Sequence, residues 1–222
     1  VSVGLKENRK PGEADVFIDW LYHQVTLADG TKVELRKPQL RIENLAFGPL
    51  EPDVMFSLRN TQALFGLGFL EAVPQASLQA IAEHQKTQGL NGRINYVRDD
   101  IQRSQAVGRF GWKAAQPSIK QQTATAFLGD MGVTSSLYIE ENCPPVQTLC
   151  LAMPPGNRPE LLDYNWDQLE FWQAALAPPP PRNKESEQVQ RGQILFEKAG
   201  CAQCHLPELK TGDYPLLPVI AN

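Results

Sequence analysis

Residues 187–205, EQVQRGQILFEKAGCAQCH, decide how the rest of the chain is read. Val189, Ile194 and Leu195, with Gly192 and Phe196 one turn apart, recur at helical spacings and predict a helix over 187–199. Gly200 stops that helix immediately before Cys201. Cys201-Ala202-Gln203-Cys204-His205 is then a C-x-x-C-H match. Its spacing suits covalent haem attachment: each thiol reaches one vinyl-derived carbon of the porphyrin edge, and the His205 imidazole turns under the ring to ligate iron. Two other chemistries use such a pair. A dithiol redox site expects a βαβ context, whereas a helix precedes Cys201. A zinc site needs a second ligand pair, and no other Cys or His pair has the spacing.

Composition narrows the class. The chain has 222 residues, 42% of them hydrophobic, which is globular rather than disordered composition. Lys and Arg number 21 against 25 Asp and Glu, for a net charge of -4. Without a basic surplus, nucleic acid and anionic membrane are poor partners for it. No apolar run approaches the roughly 20 residues of a membrane span. The opening Val1-Ser2-Val3 carries no basic or apolar leader, so a removed targeting segment is expected.

Residues 20–36 alternate. His23, Val25 and Leu27 share one face, and Val33 and Leu35 alternate with Lys32, Glu34 and Arg36 around Asp29-Gly30, which predicts a β-hairpin. Pro38 is expected to end it, with a short third strand near Leu40–Leu45. Downstream the pattern turns helical: Pro74 opens a helix to about Lys86, another spans Ser118–Phe127, and a third runs over Leu161–Leu176. Residues 88–93 read as a loop. Pro178-Pro179-Pro180-Pro181 forms a stiff spacer that helices cannot enter. The expected organisation is therefore 1–177, a linker at 178–184, and a second unit at 185–222.

Three further runs carry a family resemblance: Leu64–Pro74 (LFGLGFLEAVP), Gly108–Ala114 (GRFGWKA) and Ala126–Thr134 (AFLGDMGVT). Together they resemble bacterial di-haem oxidoreductases, often labelled thiol oxidoreductases and related to di-haem cytochrome c peroxidases and the methylamine-utilisation di-haem enzyme. The helix running into C-x-x-C-H likewise resembles the opening of a c-type cytochrome domain. The resemblance implies a mainly α fold of cytochrome c-like haem modules with an N-terminal β-hairpin. It implies two haem c groups, whereas this chain holds one motif. The chain accordingly reads as an internal piece, from the latter part of one haem domain to the start of the next, with the first motif upstream of Val1.

The resemblance also assigns site residues. The peroxidase relatives place a Glu that moves a proton during peroxide cleavage where this chain has Gln121, within Ile119-Lys120-Gln121-Gln122. An amide orients peroxide or water by hydrogen bonds but is no general base near neutral pH. Asp130, if it faces the haem, replaces that carboxylate; a solvated helix face is the plainer reading of Gln121 and Gln122. Trp112 is placed to relay electrons between haems, although a core anchor with a satisfied indole N–H is the commoner role. Arg109 suits a haem propionate or a surface ion pair. A sixth iron ligand could come from His23, His84, Met55, Met131 or Met153, each more ordinarily a packing or surface residue. Cys143 and Cys150 close a short loop as a disulfide or remain two buried thiols; export to the periplasm, where such haems are attached, favours the disulfide. Asn91, Asn95 and Asp99 offer oxygens to calcium, but the carboxylate density of an EF-hand loop is lacking and no calcium site is assigned.

The function expected is that of a c-type haem oxidoreductase passing electrons between a redox protein and a substrate such as peroxide. A non-catalytic electron-transfer cytochrome is the alternative, and a dithiol or zinc protein the weaker one.

Overall fold

The computed structural model describes residues 13–154, 156–214 and 216. Strands β1 (Asp15–Thr26) and β2 (Lys32–Glu43) pair antiparallel, with Asp15 opposite Glu43 and Thr26 opposite Lys32. The turn is held by Gly30 N–H on the Leu27 carbonyl (2.9 Å), Leu27 N–H on the Thr31 carbonyl (2.8 Å), and Thr31 N–H on the Asp29 carboxylate (2.9 Å). The hairpin is longer than expected. Pro38 does not end it but sits opposite Trp20, and the piece assigned to a third strand at 40–45 is largely the continuation of β2. In a two-stranded ribbon both strands are edges and alternate N–H groups point outward, so a proline is tolerated. Arg36 stacks on Trp20 (4.4 Å) and Arg41 on Phe17 (4.6 Å), partly covering exposed rings.

Helix α1 (Leu67–Ala72) leads through Val73-Pro74 into α2 (Gln75–Thr87). A second hairpin, β3 (Tyr96–Asp99) with β4 (Ser104–Val107), was not anticipated. Its strands are too short to show a period, and Arg103 takes the left-handed position (φ 55°) where a glycine would have signalled the turn. With 32% of the described residues in helices and 18% in strands, the fold is mixed rather than mainly α. The expected helices near 75–87, 119–131, 163–175 and 187–198 are present, but the length of one hairpin and the existence of the other were missed.

Helices α3 (Ile119–Met131) and α5 (Asp163–Ala175) pack on each other and on α1. Ser118 caps α3 by accepting the Gln121 N–H at 3.1 Å. Gly68 allows α1 to lie against α5: a Cβ there would stand 2.3 Å from the Ala174 carbonyl oxygen. One buried cluster joins Ala72, Phe110, Ile119, Ala174 and Tyr214; a second joins Ala124, Leu161 and Trp166. The Trp166 indole donates to the Lys120 carbonyl (3.0 Å), so its N–H is satisfied inside the core. Between α3 and α5 lies the one-turn α4 (Thr148–Leu151), also unanticipated, in a loop whose Cys143 and Cys150 are joined as a disulfide with Cα atoms 5.8 Å apart.

The proline run begins pinned to the core, with Gly66 N–H on the Leu176 carbonyl (2.7 Å). Helix α6 (Glu187–Lys198) follows, capped by Ser186, which accepts the Val189 N–H (3.4 Å). No described residue crosses α6 at Gly192. Beyond the cysteine motif the chain returns to the first unit. Gly212 N–H donates to the Ala72 carbonyl (2.8 Å), and Tyr214 enters the core. Among the described residues, no helix is long and apolar enough to cross a membrane.

Candidate functional site

The cysteine motif is built by one local device. Gly200 adopts φ 78°, which ends α6, and residues Cys201–Gln203 form a single 3-10 turn. Cys204 N–H (3.2 Å) and His205 N–H (2.9 Å) both donate to the Cys201 carbonyl, so two thiols and an imidazole issue from one tight turn. Both thiols are free and exposed. The imidazole stands edge-on to Phe196, ring centroids 6.2 Å apart. Around them Ile194, Leu195 and Phe196 are 52%, 53% and 41% exposed, and Leu206 and Leu209 are exposed too.

These residues fit a haem. The pair of unbridged thiols offers two thioether positions, the adjacent imidazole offers an iron ligand, and the apolar surface beside them is of the kind a macrocycle covers. The competing chemistries find less support. Among the described residues no three His, Cys, Asp or Glu side chains converge as a metal site, so Cys201 and Cys204 gain no second ligand pair. A helix, not a strand, leads into the pair.

The turn docks on α2: Gln85 donates its amide to the Gln203 carbonyl at 2.9 Å. Beside that bond lies a cleft of about 500 Å³ lined by Ile81, His84, Gln88, Ala202 and Leu206. His84, one of the sixth-ligand candidates, shares this cleft with the motif, its Nε2 3.0 Å from the Gln88 amide. His23 lies on the exposed ribbon opposite Leu35, and Met55, Met131 and Met153 are exposed.

A second cleft, about 410 Å³, opens where residues 59–64 face α3 and the 110–112 loop. Its lining includes Trp112, Gln122 and Asp130, three of the four candidate catalytic residues, with Arg59, Phe110 and Gln173. Trp112 is not a core anchor. It is 56% exposed, and its indole donates to the Asn60 carbonyl (2.8 Å), because the Gly111 turn carries it outward onto the cleft wall.

Gln121 is not among the lining residues, nor is it on a solvated helix face. It is buried, its Oε1 accepting the Asp100 N–H (2.8 Å) and its Nε2 donating to the Arg98 carbonyl (3.1 Å) and to Gln116 Oε1 (3.0 Å). It ties the second hairpin to α3. Among the described residues, Arg109 likewise forms no surface ion pair. Its Nη1 donates to the Leu70 (3.1 Å) and Val73 (2.7 Å) carbonyls at the end of α1, and burial pushes the guanidinium's pKa down against the opposing charge of Glu71. Asn95 donates its amide to the Lys113 and Ala114 carbonyls, and Asp99 caps the β3–β4 turn through the Gln102 N–H (2.8 Å).

Sequence reasoning missed Glu71, Glu170 and Tyr214. Glu71 accepts the Ile119 N–H (2.8 Å) on one oxygen and the Tyr214 hydroxyl on the other. Glu170 sits 3.3 Å from the Lys120 ammonium; burial raises its carboxyl above the usual range and Lys120 opposes that. The one legible signal was Glu71 itself, a lone acid inside the apolar run LFGLGFLEAV, where an acid needs buried partners.

No curated protein and no solved structure matches the chain. A family model described as "Di-haem oxidoreductase, putative peroxidase" matches residues 2–221. That span takes in both clefts and the cysteine motif, and the family description implies a haem cofactor. The chain belongs to the di-haem oxidoreductase family.

Proposed function

We propose that Cys201 and Cys204 carry a haem c through two thioethers with His205 as its proximal iron ligand, in an exported enzyme that moves electrons between a redox protein and peroxide. The observation that carries this reading is the partition of the cysteines. Cys143 and Cys150 are joined to each other, while Cys201 and Cys204 remain free and exposed beside an imidazole. A disulfide and covalent haem both suit an oxidising compartment such as the periplasm. The proline run at 178–181 divides two haem units in this reading, the second beginning at 185.

The haem that Cys201, Cys204 and His205 would hold would supply a one-electron couple. In the cleft of the first unit, the Gln122 amide orients a small polar substrate by hydrogen bonds. The Asp130 carboxylate takes or returns a proton at its Oδ atoms. Trp112, fixed through Asn60, forms the wall that limits water access. Gln121 holds α3 in place for them.

Peroxide-dependent oxidation of a reduced cytochrome by the full-length, haem-loaded protein tests the enzyme reading. Turnover that falls in the Asp130→Asn and Gln122→Ala variants supports it. No turnover with both haems loaded favours a second reading, an electron-transfer cytochrome. The amide at position 121, engaged on both its polar atoms where relatives are expected to place an acid, is the observation behind that alternative.

A further inference from the structure

Glu71 has two oxygens and uses them on two different parts of the molecule. Oε1 accepts the Ile119 N–H, one of the unpaired amides at the start of α3, the helix that carries Gln122 in its first turns and Asp130 near its end. Oε2 accepts the hydroxyl of Tyr214, which lies on the segment returning from the haem-attachment turn. That segment is tied at a second point, where Gly212 N–H meets the Ala72 carbonyl beside Glu71 in the chain. Tyr214 is 7% exposed and packs with Ala72, Phe110, Ile119 and Ala174, and Phe110 also lines the Trp112 cleft. Arg109, fixed on the last carbonyls of α1, supplies a positive charge near the same carboxylate.

We propose that Glu71 is a positioning residue that joins the haem-attachment segment to the cleft: one carboxylate sets the amino end of α3 and, through Tyr214, the strap leading back from His205. This rests on the reading of Cys201, Cys204 and His205 as a haem site. The shared acceptor makes the two elements respond together. A carboxylate released from the phenol is free to reorient, and the α3 amide that it holds then loses its fixed partner. Tyr214→Phe removes one hydroxyl and keeps the packed ring, so it separates the hydrogen bond from the packing.

The test uses full-length, haem-loaded protein, with loading measured first as a haemochrome spectrum. Failure of loading speaks against the haem reading alone. In loaded Tyr214→Phe, hydrogen exchange at the Gly212 amide and at the amides of residues 119–122 is expected to accelerate together, by roughly tenfold. The midpoint potential of the haem on Cys201 and Cys204 is expected to shift in the same variant. Glu71→Ala reproduces both effects, and Glu71→Gln, which keeps an acceptor for the Ile119 amide, restores the protection at 119–122. Faster exchange confined to Gly212 would overturn the proposal, because the two bonds would then be independent. An unchanged potential with both exchange effects present would equally overturn it, since the joint would not reach the haem.

Discussion

Helices α3 and α6 lie in one chain, yet they are held in opposite ways. In α3 the residues Ile119, Gln121, Thr123 and Ala124 are buried, and the polar ones among them have partners within the protein. In α6 no residue is buried, and its apolar side chains face outward beside two free thiols. The first helix is stabilised by protein atoms, and its buried polar residues Gln121 and Thr123 are occupied in holding the fold. The second presents reactive atoms and apolar surface together. Where side chains are fully engaged with one another they position; where they are exposed in a chemically matched set they are available to bind.

Substitutions in the two regions should therefore separate stability from cofactor chemistry. Trp166→Ala should have the largest effect on folding, a loss of about 3–5 kcal/mol by denaturant unfolding, since it removes a buried ring and the indole N–H that donates to the Lys120 carbonyl. Leu195→Ala on the exposed face of α6 should leave the unfolding of the core unchanged; a comparable loss there would break the comparison.

Gln121→Glu should come next, at about 2–4 kcal/mol, because a carboxylate oxygen replaces the Nε2 donor facing the Arg98 carbonyl and Gln116 Oε1. An acid placed there is expected to titrate high. The loss should therefore grow as pH rises and shrink once the group is protonated, which unfolding curves across pH would show. Gly68→Ala should cost about 1–3 kcal/mol by the same measurement, through contact with the Ala174 carbonyl.

Tyr138→Phe should be the mildest, about 1 kcal/mol at neutral pH. The Tyr138 hydroxyl (2.8 Å) and then Arg98 hold the Asp100 carboxyl below its ordinary value of 3.8. That stabilisation is present above the unfolded value and is lost as pH falls through the lower folded one. The variant should consequently show a shallower loss of stability on acidification than the parent.

The elements legible in the sequence were the ones fixed by their neighbours along the chain. The C-x-x-C-H turn, the Gly200 stop, the Asp29-Gly30 hairpin and the Pro74 helix start all follow from residues within a few positions. What escaped was set by distant partners. The β3–β4 hairpin depends on Gln121 of α3, and Glu71 depends on Ile119 and Tyr214. Gln121 itself illustrates the limit: its residue type was informative about chemistry, but its burial and three partners belong to tertiary structure. The family resemblance grouped Gln121, Gln122, Asp130 and Trp112; the last three line one cleft and Gln121 does not.

The most direct measurement is mass spectrometry of the tryptic peptide 199–210, AGCAQCHLPELK, from matured full-length protein. The account predicts that this peptide carries the added mass of one haem, with neither Cys201 nor Cys204 open to alkylation. Recovery of the bare peptide with both thiols alkylated, from protein matured in a haem-attaching host, would contradict it.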